Sequence, residues 1–261
     1  MLTVISPAKK LNWSPADLSE ATEPGFRKDA NALARTARKL GAEDLQKLMK
    51  ISASLAELNV ERFKAFKPNP TDETVKPAAL AFDGDTYAGL QARAFDARTM
   101  AYAQDRLRIL SGLYGLLRPM DKIQPYRLEM GSRLETAKGS SLYAYWGPRL
   151  AKALNKEAAA LGSGWLLNCA SQEYFGAVDR KALKLEVIEP VFLEEKDGDA
   201  KVISFFAKRA RGAMARFVME NRIEDPYDLR AFDLDGYRHQ PDGANDGRIV
   251  FRRAHPGAVA A

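Results

Sequence analysis

Short apolar or β-branched runs bounded by Gly, Pro, Asp or Asn recur along the chain and read as strands at 2–5, 78–82, 165–169, 185–192, 202–206 and 248–251. Between them, apolar residues at three- and four-residue spacing predict helices over 28–40, 43–50, 54–66, 97–111 and 142–161, with Gly41 and Gly162 as C-terminal stops. The pattern predicts an α+β class, a central mixed sheet with peripheral helices. No repeat and no low-complexity segment interrupts it, which argues against a solenoid. Three prolines within 67–77 exclude a helix or central strand there, so this segment is the candidate linker. Strand 2–5 would lack a partner in a purely helical 1–66 unit, and one domain spanning 1–261 is therefore expected. Asp197-Gly198-Asp199 predicts an antiparallel hairpin between 185–193 and 201–206, and residues 254–261 are expected to fray.

Composition narrows the class. Of 261 residues, 46% are hydrophobic and 28% charged, a balance that builds a packed core rather than a disordered chain. A single cysteine, Cys169, leaves no disulfide framework, thiolate zinc site or Cys-x-x-Cys pair, and a reducing compartment is expected. Cys169 ends an apolar run and reads as a small buried hydrophobe rather than a nucleophile. The N-terminus has no signal-peptide pattern, and no apolar run approaches a membrane span. A cytoplasmic protein without a membrane partner is expected, most simply a monomer.

Charge changes the picture more. The formal net charge of +6 is concentrated in two stretches. Residues 106–138 hold seven basic and three acidic residues, and 201–222 hold six basic residues against Glu220 alone, so the remainder of the chain is mildly acidic. Drawn as a helix, 207–222 puts Lys208, Arg209, Arg211, Arg216 and Arg222 on one arc of about 160°, opposite a stripe containing Ala207, Ala210, Met214, Phe217 and Val218. Gly212 falls inside the basic arc, where it removes a side chain and lets something approach the backbone. Solvated helix faces usually interleave both signs; this one carries no acid, which points to an anionic partner, and its Arg content favours phosphate.

Residues 107–131 combine Gly112, Tyr114, Gly115 and Arg118 with Lys122 and Arg127. A helical run ending near Leu110, a glycine turn and the pair Leu116-Leu117 have the outline of a helix–hairpin–helix element that offers N–H groups to phosphate. A buried turn whose glycines permit close packing is the competing reading. Tyr114, Tyr126, Tyr143, Tyr145 and Trp146 alternate with cations as a base-stacking surface would, although rings at such spacing more often fill a core. Neither His239 nor His255 suggests a metal pair, and no P-loop or Gly-x-Ser-x-Gly motif occurs. One polar constellation stands at predicted strand ends: Ser6 and Lys9, then Asn168, Ser171 and Glu173, with Arg127 and Glu129. Ser171 with Glu173 also reads as a helix cap with a first-turn acid.

Five motifs then stand together: Ile5-Ser-Pro-Ala-Lys9, Leu110-Ser-Gly-Leu-Tyr-Gly-Leu-Leu-Arg-Pro119, Gln124-Pro-Tyr-Arg-Leu-Glu-Met-Gly131, Asn168-Cys-Ala-Ser-Gln-Glu-Tyr-Phe175 and Lys208-Arg-Ala-Arg-Gly-Ala-Met-Ala-Arg216. In order and over nearly the whole chain, they resemble the bacterial peroxide stress protein YaaA family. The resemblance implies a cytosolic protein induced by hydrogen peroxide that limits free iron and oxidative DNA damage, with an unusual mixed fold carrying a helix–hairpin–helix-type element. It implies double-stranded DNA bound in a basic cleft, with Gly112, Tyr114, Gly115 and Arg118 in the hairpin and Lys208, Arg209, Arg211 and Arg216 lining the cleft. No cofactor, metal site or catalytic residue follows from it. An enzyme that clamps a nucleotide or other phosphorylated small molecule with the same cations, using Lys9, Arg127, Glu129 or Glu173 as acid–base groups, is the alternative.

Overall fold

The structure is a computed structural model that describes residues 1–241 and 247–256. Its strands are β1 (Leu2–Ile5), β2 (Lys10–Leu11), β3 (Lys76–Pro77), β4 (Phe82–Asp83), β5 (Leu107–Ser111), β6 (Gly115–Leu117), β7 (Lys122–Ile123), β8 (Trp165–Cys169), β9 (Glu186–Lys196), β10 (Asp199–Lys201), β11 (Arg238–Gln240) and β12 (Arg248–Ala254). The α-helices are α1 (Arg27–Ala37), α2 (Ala42–Met49), α3 (Ala53–Ala65), α4 (Ala78–Ala81), α5 (Asp85–Leu90), α6 (Ala97–Arg106), α7 (Leu142–Trp146), α8 (Arg149–Ala160), α9 (Gln172–Phe175) and α10 (Ser204–Asn221).

The central sheet runs β11-β12-β9-β8-β1-β5-β6, with β10 added to β9, and the fold is α+β. Strands β12, β9, β8, β1 and β5 are mutually parallel, while β11, β10 and β6 join antiparallel. Every residue of β1 is buried, as a strand covered on both faces requires, which is why its sequence reads as a run of apolar and β-branched residues without charge. From β1 the chain reaches β5 on one side of it and later β8 on the other, so the strand order reverses between β1 and β8. Ligand crevices in open sheets form at such a reversal, beyond the carboxyl ends of the strands.

Several boundaries differ from the expectations. The helix expected over 97–111 stops at Arg106, and Leu107–Ser111 forms β5, because a run buried at every position, Arg108 and Ser111 included, suits a helix or a central strand equally and β1 supplies the parallel partner. Residues 107–117 are therefore an antiparallel β-hairpin with Ser111 opposite Gly115, and its arms are strands where helices were expected. The run 78–82 forms the short helix α4 instead of a strand, in keeping with three alanines following Pro77. The hairpin at 197–198 exists, but its second arm is only β10; the chain turns into α10 at Ser204 where strand 202–206 was expected. The helix expected over 142–161 breaks at Gly147-Pro148, where Gly147 takes φ +48.

The candidate linker 67–77 is fastened to the rest of the molecule. The Gln124 side chain accepts from Lys67 N and donates to Lys67 O, both at 2.8 Å, and β3 pairs with β7. Of the tail expected to fray, Ala254 ends β12 and His255 N donates to Glu195 O at 2.8 Å; residues 257–261 lie outside the described residues.

Candidate functional site

The carboxyl ends of β1 and β8 open onto one cleft. Ser6 Oγ accepts from Ser171 N at 2.8 Å and lies 3.3 Å from Ser171 Oγ, while buried Tyr87 donates its hydroxyl to Ser6 O at 3.2 Å. Ser171 also caps α9, accepting from Tyr174 N at 3.4 Å. The capping reading holds, and the cap stands at the cleft wall. The cleft encloses about 410 Å³ and is lined by Ser6, Lys9, Lys10, Asp83, Asp85, Thr86, Ser171, Glu173, Lys208 and Arg211, among others.

Helix α10 supplies one wall through an unusually close crossing with α5. A Cβ on Gly212 would lie 1.8 Å from Thr86 O, and one on Gly89 would lie 2.0 Å from Arg209 O. Gly212 thus does admit another backbone onto the basic arc, but that backbone is α5. The helix is buried on two faces, with Gly212, Ala213, Ala215 and Met219 covered as well as Ala210, Met214 and Val218. The expected continuous basic face is therefore divided. Lys208 and Arg211 go to the cleft, Arg209 lies 3.4 Å from Asp235, and Arg216 donates to Gln91 at the end of α5.

Arg211 is half-buried and held by the backbone. Its Nε donates to Ala207 O at 3.2 Å and its Nη1 to Ala170 O at 3.0 Å, beside the end of β8. Burial pulls its pKa down, since the charged form loses solvation there. Around the cleft mouth, Lys9 pairs with Glu129 at 3.0 Å, Glu129 also accepts from Arg127 at 2.9 Å, and Lys10 pairs with Asp83 at 2.7 Å. Glu173 Oε1 accepts from Gly131 N at 2.9 Å. Asn168 points elsewhere, bridging Glu189 at 3.1 Å and Ala170 N at 3.0 Å, and so shapes the strand end without lining the cleft.

Outside Arg127, Glu129 and Gly131, the 107–131 residues serve packing and turns. Gly112 and Tyr114 are buried; a Cβ on Gly112 would meet Leu128 O at 2.3 Å, and one on Gly115, at φ +69, would meet the Trp146 ring at 2.7 Å. Trp146 Nε1 donates to Gly112 O at 3.1 Å, and Tyr114 Oη accepts from Gln124 N at 3.0 Å. Tyr126, Tyr145 and Trp146 are buried too and fill the core, while Tyr143 stays exposed and donates its hydroxyl to Glu173 O at 2.9 Å. Arg118 closes its own turn through Asp121 at 2.8 Å, and Lys122 pairs with Asp72 at 2.7 Å. Of the residues singled out in the sequence, the cleft brings together Ser6, Lys9, Ser171, Glu173, Lys208 and Arg211. Lys10, Asp83, Asp85 and Thr86 were missed, although Asp83-Gly-Asp85 is a turn signal beside an apolar run.

Over residues 1–243 the sequence matches the family described as "Peroxide stress protein YaaA". The chain belongs to that family. It is 59% identical over 261 residues to a UPF0246 protein of Jannaschia sp. (strain CCS1), covering all of both chains. It is 56% identical to a UPF0246 protein of Dinoroseobacter shibae and 54% identical to one of Phenylobacterium zucineum, covering all of this chain and 98% of each relative. In this YaaA-family chain Cys169 is buried at the end of β8. Burial pushes its thiol up to about 12, with Arg211 nearby opposing the shift only in part, so the reactive thiolate is scarce at neutral pH. No helix among the described residues is long and apolar enough to cross a membrane.

Proposed function

We propose that this peroxide stress protein holds duplex DNA by its phosphates along the rim of the cleft between α10 and the ends of β1 and β8, and in this way limits iron-dependent oxidative damage to the DNA. The observation that carries the reading is the convergence of Lys9, Lys10, Lys208 and Arg211, drawn from segments about 200 residues apart, on one opening. A duplex about 20 Å wide exceeds a cavity of this size, so it would lie across the rim and touch the exposed ammonium groups. Holding DNA also agrees with a thiol too poorly ionised to serve as a peroxide-reactive nucleophile.

The test is a salt titration of duplex binding by the full chain. Affinity should fall log-linearly with salt, with a slope near −0.9 for each phosphate neutralised. Charge reversal at the rim, Lys9→Glu with Lys10→Glu and Lys208→Glu, should remove binding at low salt and leave the far-ultraviolet circular dichroism unchanged. A correctly folded triple variant that still retains duplex DNA would contradict the reading. Reversal of Arg209 and Arg216, which lie away from the cleft in contact with Asp235 and Gln91, should have a smaller effect.

A further inference from the structure

We infer that the inner wall of the cleft is a binding site for a phosphomonoester on a nucleotide- or sugar-sized molecule, gripped by Arg211, Lys208 and the Ser6–Ser171 pair. This goes beyond the DNA reading and does not depend on it. Arg211 is oriented by two backbone carbonyls, through Nε and Nη1, and Nη2 has no hydrogen-bond partner among the described residues. No carboxylate pairs with it there, whereas Arg108, Arg127, Arg149 and Arg253 each meet an acid at 2.6–2.9 Å. A half-buried guanidinium held in place without a carboxylate is costly unless an anion completes it.

Lys208 stands one turn before Arg211 on the same side of α10, also lines the cleft, and has no ion-pair partner among the described residues. A planar fork, an ammonium and a serine hydroxyl suit the three terminal oxygens of a phosphomonoester better than the two of a carboxylate. Asp85 and Glu173 complete the lining with acceptors, which fit the hydroxyl or amino groups of an attached sugar or base. The volume, about 410 Å³, lies within the usual range of small-molecule clefts, about 300–1,000 Å³.

Calorimetric titration of the full chain with AMP, ribose 5-phosphate, inorganic phosphate and adenosine separates the possibilities. AMP and ribose 5-phosphate should bind, inorganic phosphate more weakly, and adenosine not at all. Arg211→Gln should weaken AMP at least about tenfold, and Lys208→Met, at an exposed position, about threefold or more. The inference is overturned if none of the phosphorylated probes binds, if adenosine binds as well as AMP, or if AMP binding is unchanged in the folded variants. Should Arg211→Gln fail to fold, Lys208→Met decides alone. Duplex retention is followed on the same samples: AMP binding without duplex binding supports the site and contradicts only the DNA reading.

Discussion

At the level of single residues, Cys169 shows how position overrides intrinsic chemistry. It pairs in register with Ile5 in the middle of the sheet, and burial pushes its thiol up to about 12 from an unfolded value of 9.0. Its folded pKa is the higher one, so its contribution to stability is fully present below about pH 9 and is lost as pH rises toward 12. Urea midpoints taken at intervals from pH 8 to pH 11 should therefore decline on the alkaline side, and the decline should be shallower in Cys169→Ala. Identical slopes would mean that the thiol titrates alike in both states. The same burial predicts that a thiol reagent at pH 7.5 labels no cysteine in the native protein and one in guanidinium, and that peroxide leaves the native thiol reduced. Arg211, which donates to the carbonyl of Ala170 next to Cys169, is the opposite case, a charge kept where burial disfavours it.

Among elements, the crossing of α5 and α10 sets the shape of the cleft. Two glycines, Gly89 and Gly212, let the helices meet backbone to backbone, and Thr86, whose carbonyl faces Gly212, also lines the cleft. Gly212→Ala should therefore cost stability through overpacking, about 1–3 kcal/mol, despite alanine's better helix propensity. The urea midpoint measures it, and a variant as stable as the parent would show that the crossing yields easily. This element was half legible in the sequence. The stripe of Ala207, Ala210, Met214 and Val218 correctly marked a buried face, and Gly212 correctly marked a close approach. Helical periodicity could not show that α5 covers the opposite face, since that burial comes from a helix more than a hundred residues earlier. The β5–β6 hairpin was misread for a related reason: Leu107-Arg108-Ile109-Leu110 suits a helix end as well as a strand, and only its pairing with β1 selects a strand. Strands β1 and β8, too short for helices, were read correctly.

For the whole molecule, the strand-order reversal between β1 and β8 organises the site. It sets Ser6 against Ser171, residues 165 apart in sequence, and directs both toward α10. Strand-end reasoning had already selected Ser6, Lys9, Ser171 and Glu173, and charge patterning had selected Lys208 and Arg211; their meeting in one cleft required the fold. The same patterning grouped Arg118 and Lys122 with these cations, but each is engaged by a carboxylate outside the cleft, Asp121 and Asp72. Membership of the YaaA family gives the setting, peroxide stress, while the cleft gives the surface through which the protein is proposed to act. The most direct measurement of that claim is hydrogen exchange with and without a short duplex at low salt. Added protection is expected in peptides covering 6–11, 83–86, 171–174 and 204–211. Protection confined to 107–131, or to the side of α10 near Asp235, would contradict it.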